Sequence, residues 1–198
     1  MDWIALIAIF ISVVCIGFLS GIEIAFITGN KFSIELKKKQ GTLSGKTWSA
    51  FLEHPARFIG SILVGLNILL VIYGLLIGDM LFPVWEWMKR QLQGHIAPDY
   101  IDYVKLLVET ILSTTIILFT EFISKAFFKA KSNELIGSDF ISRITSLFYW
   151  MFSSISKLFI NMAEWILKYV FNVKVSKKKE GSNIENETPS KEKKKQMR

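Results

Sequence analysis

Residues 4–22 read IALIAIFISVVCIGFLSGI, nineteen consecutive residues without a charged side chain. Residues 58–78, FIGSILVGLNILLVIYGLLIG, form a second uncharged run of 21 residues. An α-helix rises about 1.5 Å per residue, so about 20 apolar residues cover the ~30 Å hydrocarbon core of a bilayer. Each run is therefore long enough to cross a membrane as a helix, and the sequence predicts a membrane protein.

The chain as a whole is too apolar for a soluble domain of this size. Of its 198 residues 51% are hydrophobic, and the mean hydropathy is +0.37. This composition excludes a disordered, collagen-like or disulfide-stapled secreted chain. The single cysteine, Cys15, lies inside an apolar run, which excludes a disulfide framework and a zinc cluster. Asp2 stands where a signal peptide would carry basic residues, so the first run is predicted to be a retained helix.

Positive charge is distributed unevenly along the chain. Six Lys and Arg residues lie in 31–57, three lie in 82–105 and fifteen follow from Lys125 onward. Because cytoplasmic loops of membrane proteins are enriched in Lys and Arg, this pattern places the N-terminus outside and the C-terminus in the cytoplasm of a multi-pass protein of the cell (inner) membrane. The basic residues show no zinc-finger spacing or aromatic interleaving, so the expected partner is the lipid bilayer and not nucleic acid.

Three spanning helices are predicted, at about 3–28, 57–81 and 102–128. Residues 29–57 are predicted to form a basic loop. Pro83 is expected to end the second helix, and Asp99 to act as the N-cap of the third, with Asp102 in its first turn.

The apolar stretch at 144–173 has a different pattern. A line of polar residues follows one helical face, at Lys157, Asn161, Glu164, Lys168 and Asn172. Lysines on both flanks favour an amphipathic helix along the cytoplasmic interface, with a fourth spanning helix as the alternative. The predicted fold is therefore an all-α membrane protein with three transmembrane helices and a cytoplasmic juxtamembrane belt helix. It occupies residues 1–174 and is followed by a disordered basic tail at 175–198.

Polar residues inside apolar helices are costly, so they mark candidate functional sites. The first helix carries Ser20 and Glu23 beside Gly21, the second carries Asn67, and the third carries Glu121 after an uncharged run. Together they supply hydroxyl, amide and carboxylate oxygens, a ligand set that suits a hard cation such as Mg²⁺ or Na⁺. The sequence contains no nucleophile elbow, phosphate loop or HExxH motif, so neither an enzyme nor an organic cofactor is expected.

Each of these residues also has a purely structural interpretation. Glu121 and Lys125 are four residues apart and can pair with each other. Ser20 can bond to its own helix, and Asn67 can join two helices by a hydrogen bond. The sequence at 74–78 is a GxxxG, which is a weak signal for helix packing or dimerisation.

Four segments resemble, in the same order, the transmembrane domain of the CNNM/CorC family. Residues 18–26, FLSGIEIAF, resemble the signature F-x-S-G-x-E-x-A, and NK at 30–31 with EHPARF at 53–58 resemble N-R and E-N-P-E-R-F. Residues 61–67, SILVGLN, resemble T-V-L-I-G-N-N, and TEFISKA at 120–126 resembles G-E-x-x-P-K-x. The resemblance covers roughly residues 4–172.

This resemblance implies a homodimer with three transmembrane helices and a belt helix. It also implies transport of Mg²⁺, generally export, proposed to be coupled to Na⁺. The metal ligands carried over by the resemblance are Ser20, Asn67 and Glu121. The supporting positions are Gly21, Glu23, Gly65 and Lys125.

The chain departs from the family pattern at three positions. Leu66 replaces the first Asn of the pair, Ser124 replaces the proline, and Thr120 precedes Glu121. The cytoplasmic CBS domains and the CorC-type C-terminal domain of family members are expected to be absent from this chain. These departures define the alternative function, a transport-incompetent membrane scaffold that binds a separate cytoplasmic partner.

Overall fold

A computed structural model describes residues 3–92 and 98–169, and these residues are almost entirely helical. The helices are α1 (Trp3–Thr28), α2 (Lys31–Lys39), α3 (Leu43–Glu53), α4 (Pro55–Leu92), α5 (Pro98–Ala130), α6 (Ser132–Ile136) and α7 (Asp139–Tyr169). Helix packing divides the chain into a unit that ends at Ile160 and a second unit that begins at Asn161. The all-α prediction is confirmed. The predicted domain boundary at 174 and the tail at 175–198 lie outside the described residues.

Three of the described helices are long and apolar enough to cross a membrane. They are α1, α4 as far as Gln91, and α5 from Tyr100. Helix α7 does not meet this criterion, and its Lys157, Asn161 and Lys168 are exposed. The prediction of three spans and a separate amphipathic helix is confirmed, and Asn172 of the polar line lies outside the described residues.

Helix α1 is the centre of the membrane unit, because it packs along both α4 and α5. Its Ile16, Leu19 and Ile22 are completely buried and belong to the main hydrophobic cluster. Helices α4 and α5 also contact each other, and Lys89 Nζ of α4 lies 2.6 Å from Asp102 Oδ1 of α5. The outward apolar faces of α4 and α5 remain exposed, as expected for surfaces that contact lipid.

Two predicted helix boundaries are wrong. Helix α4 continues through Pro83 to Leu92, although proline lacks the N–H that would bond to the carbonyl of Asp79. One lost hydrogen bond is tolerated here because Trp85 is buried beyond the proline and an ion pair ties this part of α4 to α5. Helix α5 begins at Pro98, so Asp99 lies in its first turn and is not the N-cap. Proline suits the first helical position, where the missing N–H costs nothing.

The predicted basic loop at 29–57 is also wrong, because its residues form the helical hairpin α2–α3. The Asn30 side chain caps α2 by accepting hydrogen bonds from the amides of Phe32 and Ser33, at 3.0 and 3.4 Å. Thr42 Oγ1 caps α3 by accepting a hydrogen bond of 3.1 Å from the amide of Gly45. These caps satisfy amide groups that would otherwise have no partner in the first turn of each helix.

An aromatic cluster fixes the hairpin to the ends of the spanning helices. Trp48 of α3 is completely buried and stacks with Phe26 of α1, while Phe51 stacks with Phe58 of α4 at a ring separation of 4.5 Å. Trp48 Nε1 donates a buried hydrogen bond of 2.9 Å to Ser142 Oγ of α7. The cluster therefore joins α1, α3, α4 and α7 at one end of the helix bundle.

A charged contact joins α3 to the start of α7. The amide of Ser44 donates a hydrogen bond of 2.9 Å to Asp139 Oδ1. This bond, and then the charges of Arg143 and Lys37, hold the pKa of Asp139 below its ordinary value. Asp139 is therefore charged at neutral pH and can keep this contact.

The orientation in the membrane is testable with single cysteines in a Cys15→Ser background. Gln91 and Lys46 are both exposed. Gln91 lies at the C-terminal end of α4, whereas Lys46 lies in the α2–α3 hairpin that precedes the N-terminal end of α4. If the Lys- and Arg-rich segment is cytoplasmic, an impermeant maleimide added to intact cells should label Gln91→Cys and leave Lys46→Cys unlabelled.

The same assay tests the position of α7, with cysteines at Arg143 and Lys168. Both should be protected in intact cells and labelled after permeabilisation if α7 lies along the cytoplasmic face. If only one of Arg143→Cys and Lys168→Cys were labelled in intact cells, α7 would be a fourth spanning helix. In the orientation test above, labelling of Lys46→Cys in intact cells would show that the orientation is the reverse of the predicted one.

Candidate cation site

Two glycines allow α5 to lie against α1. Ser124 Oγ and Thr120 Cγ2 of α5 lie 2.7 and 3.2 Å from the point where a Cβ on Gly17 would stand. The ring of Phe128 occupies the space that a Cβ on Gly21 would need. Gly17 and Gly21 therefore form a GxxxG motif of α1 that packs against the spanning helix α5.

The GxxxG at 74–78, which the sequence singled out, has a different environment. Among the described residues, no atom lies within 4 Å of the position of a Cβ on Gly74 or Gly78. The motif therefore makes no helix contact within the described chain.

A third glycine allows close packing on the other side of α1. Leu19 Cδ1 of α1 and the ring of Phe152 of α7 lie 3.2 and 2.5 Å from the point where a Cβ on Gly65 would stand. Gly65 of α4, predicted as a supporting position, therefore lets two helices approach α4 at one place.

These close contacts bring the three predicted ligand residues to one level of the helix bundle. Ser20 precedes Gly21, Glu121 follows Thr120, and Asn67 is two residues after Gly65. The three residues lie at a similar depth in the bundle because residues 17–21 of α1 contact residues 120–128 of α5, and Leu19 of α1 contacts Gly65 of α4. The described contacts show no hydrogen bond between them.

Ser20 has the most unusual environment of the three. Its side chain is completely buried, and its Oγ has no hydrogen-bond partner among the described residues. A buried hydroxyl without a partner costs about 1–3 kcal/mol. Ser12 on the same helix does bond to its own backbone, at 2.8 Å from the carbonyl of Ala8. The Ser20 hydroxyl therefore lacks the intrahelical hydrogen bond that satisfies Ser12.

Glu121 is paired within its own helix. Lys125 Nζ lies 3.0 Å from Glu121 Oε2, and the Glu121 side chain is only 24% exposed. Among residues 3–92 and 98–169, no group of three His, Cys, Asp or Glu side chains is placed to hold a metal. Any cation held by the described residues would thus have at most two such side chains as ligands, with neutral oxygens or water as the others.

Asn67 faces away from the interior of the bundle. Its Nδ2 donates a hydrogen bond of 2.9 Å to the carbonyl of Leu63, which leaves its Oδ1 free to accept or coordinate. The residue lines a cavity of about 460 Å³ between α4 and α7, bordered by Val64, Ile155 and Phe159. The remaining predicted position, Glu23, is half-buried one turn after Ser20.

A protein-family model matches most of this sequence. Residues 6–192 match the model described as the cyclin M transmembrane N-terminal domain, which covers nearly the whole chain. The chain belongs to the CNNM family. No curated protein and no solved structure matches it significantly.

The positions where this CNNM domain departs from the family pattern have clear structural roles. Leu66 is 6% exposed and packs in the main hydrophobic cluster. Ser124, at the position of the family proline, lies against Gly17 in the contact between α1 and α5. Thr120 Oγ1 bonds to the carbonyl of Ile116, so its hydroxyl is already satisfied. Leu66 and Ser124 therefore take part in packing, and the Thr120 hydroxyl bonds to its own helix.

Proposed function

We propose that this CNNM domain transports a divalent cation, Mg²⁺, with Ser20 of α1 and Glu121 of α5 supplying oxygen ligands. Asn67 of α4 is the proposed third ligand, and its side chain, which faces the cavity between α4 and α7, would have to turn toward the other two to join them. The observation that carries the proposal is the buried Ser20 hydroxyl, which has no hydrogen-bond partner among the described residues. Family membership supports Mg²⁺ as the ion. Export coupled to Na⁺ entry is the form of transport that we propose.

In the proposed transport, Lys125 pairs with Glu121 until a cation binds. In the ion-free protein its ammonium group balances the charge of Glu121, with 44% of the Lys125 side chain exposed. A bound cation would replace Lys125 at the carboxylate, and the flexible lysine would turn to solvent. Because Mg²⁺ dehydrates reluctantly, water would complete its coordination beside the few protein oxygens.

Two observations favour a second function, that of a membrane scaffold without transport. Leu66 fills apolar space where family members carry an amide, and Glu121 already has a cation partner in Lys125. A domain that needs only to hold its fold would keep both features. In this function the family fold would present a surface to a separate cytoplasmic partner.

We propose that the chain acts as a homodimer and that α4 provides the contact. Gly74 and Gly78 lie one turn apart on α4, with open space beside both. Small residues at this spacing allow two helix backbones to approach closely in a membrane.

Ser20→Ala tests the proposed ligand role directly. Removal of the unpartnered hydroxyl should raise the melting temperature of the ion-free protein in detergent, because an orphaned buried group is lost. The same change should reduce the rise in melting temperature on adding Mg²⁺, since a ligand stabilises the state that it binds.

Ser12→Ala is the matched control, because Ser12 is buried on the same helix but bonds to its own backbone. It should leave the Mg²⁺-dependent rise unchanged. A Ser20→Ala protein that keeps the full rise would remove Ser20 from the site.

A further inference from the structure

The α2–α3 hairpin is held at the membrane surface by covalent connections at both ends. Only Gly29 and Asn30 separate the spanning helix α1 from α2, and only His54 separates α3 from the spanning helix α4. Because an extended residue covers at most about 3.6 Å, α2 begins within about 11 Å of the end of α1. The hairpin therefore lies beside the headgroups of the bilayer.

One face of α2 is covered by the chain and the opposite face is not. Ile34 is 2% exposed, and the backbone of Gly45 packs directly against the peptide that joins Lys37 and Lys38. Phe32 and Leu36 lie about 160° around the helix from Ile34. They are 72% and 48% exposed.

Around α2, Lys31 and Lys39 lie on one side of this exposed apolar pair with the exposed Glu35 between them, and Lys46 is exposed on α3. Lys31, Lys39 and Lys46 are exposed, and none has an ion-pair partner among the described residues. Lys38, by contrast, lies 3.5 Å from Glu53. An apolar patch bordered by free lysines is the pattern of a helix that rests in the interface of an anionic membrane.

We propose that the outer face of α2 binds anionic phospholipid headgroups, with Phe32 and Leu36 in the interface and Lys31, Lys39 and Lys46 on the phosphates. Charge complementarity and the position of the hairpin next to two spanning helices both favour this occupant. Each lysine near an anionic surface increases the affinity about fivefold. The proposal does not depend on cation transport.

The test uses the full chain in nanodiscs, with a fluorophore on Gln40→Cys in a Cys15→Ser background. Gln40 is exposed and lies one turn beyond Leu36. A nitroxide quencher is placed near the headgroup of either phosphatidylglycerol or phosphatidylcholine, at equal mole fractions. We expect stronger quenching by the anionic lipid, and we expect salt to weaken this preference.

Two triple variants provide the controls. Lys31→Gln with Lys39→Gln and Lys46→Gln should abolish the preference for the anionic quencher, whereas the corresponding three Lys→Arg changes should keep it. The melting temperatures of both variants should match that of the parent, because these lysines have no ion-pair partners among residues 3–92 and 98–169.

Equal quenching by the two lipids, or a preference that survives the glutamine changes, would overturn the proposal. Absence of quenching by either lipid would also overturn it, and would indicate that α2 faces water or a protein partner.

Discussion

Glu121→Gln is expected to abolish Mg²⁺ transport and the Mg²⁺-dependent rise in melting temperature. Glutamine keeps the shape of the side chain but removes the only charge among Ser20, Asn67 and Glu121. The loss of affinity should exceed the roughly 10–100-fold effect of changing an outer-shell group at a metal site. The measurement is ion flux into or out of proteoliposomes, together with thermal unfolding over a Mg²⁺ titration.

Lys125→Gln is the matched comparison, because Lys125 is the present partner of Glu121 at 3.0 Å. If Mg²⁺ competes with Lys125 for the carboxylate, the Lys125 variant should keep or strengthen the Mg²⁺-dependent rise. In the scaffold function, both variants should lower the melting temperature of the ion-free protein alike and leave any Mg²⁺ dependence unchanged. Similar behaviour of the two variants would therefore contradict the ion site.

Trp48→Ala is expected to cause the largest loss of stability in the hairpin region. Trp48 is completely buried between aromatic rings of α1, α3 and α4, and truncation of a buried Trp to Ala costs about 3–5 kcal/mol. The free energy of unfolding should be measured by denaturant titration in detergent micelles.

Two milder variants separate packing from hydrogen bonding at this position. Trp48→Phe keeps an aromatic ring but loses the bond to Ser142, and Ser142→Ala loses the same bond from the other side. Each should cost less than Trp48→Ala, since a buried hydrogen bond contributes about 0.5–1.5 kcal/mol. A Trp48→Ala protein as stable as Trp48→Phe would show that the aromatic cluster does not hold the hairpin.

The spanning helices could be predicted from the sequence because hydrophobic length is a strong local signal. The uncharged runs at 4–22 and 58–78 lie inside α1 and α4, and the predicted third span at 102–128 lies inside α5. The lysines of residues 29–57 predict a loop, whereas the structure has the hairpin α2–α3. Asn30 and Thr42 carried a local signal for its helices, as N-capping residues at the correct spacing.

The candidate site was predictable only in part. Polar residues stand out within apolar helices, so Ser20, Asn67 and Glu121 could be selected from the sequence. The partner of each side chain depends on rotamers and helix rotation, which no sequence pattern determines. For the same reason two GxxxG sequences look alike, yet 17–21 packs against α5 and 74–78 contacts no other part of the described chain.

Flux in liposomes that contain only the purified chain tests the proposed transport most directly. The vesicles are loaded with Mg²⁺ and a fluorescent Mg²⁺ indicator, and an inward Na⁺ gradient is imposed. If the chain exports Mg²⁺ in exchange for Na⁺, Mg²⁺ should leave faster than from protein-free vesicles, the Na⁺ gradient should accelerate the loss, and Glu121→Gln should abolish it. Efflux equal to that of protein-free vesicles, with and without Na⁺, would contradict transport and leave the scaffold function in its place.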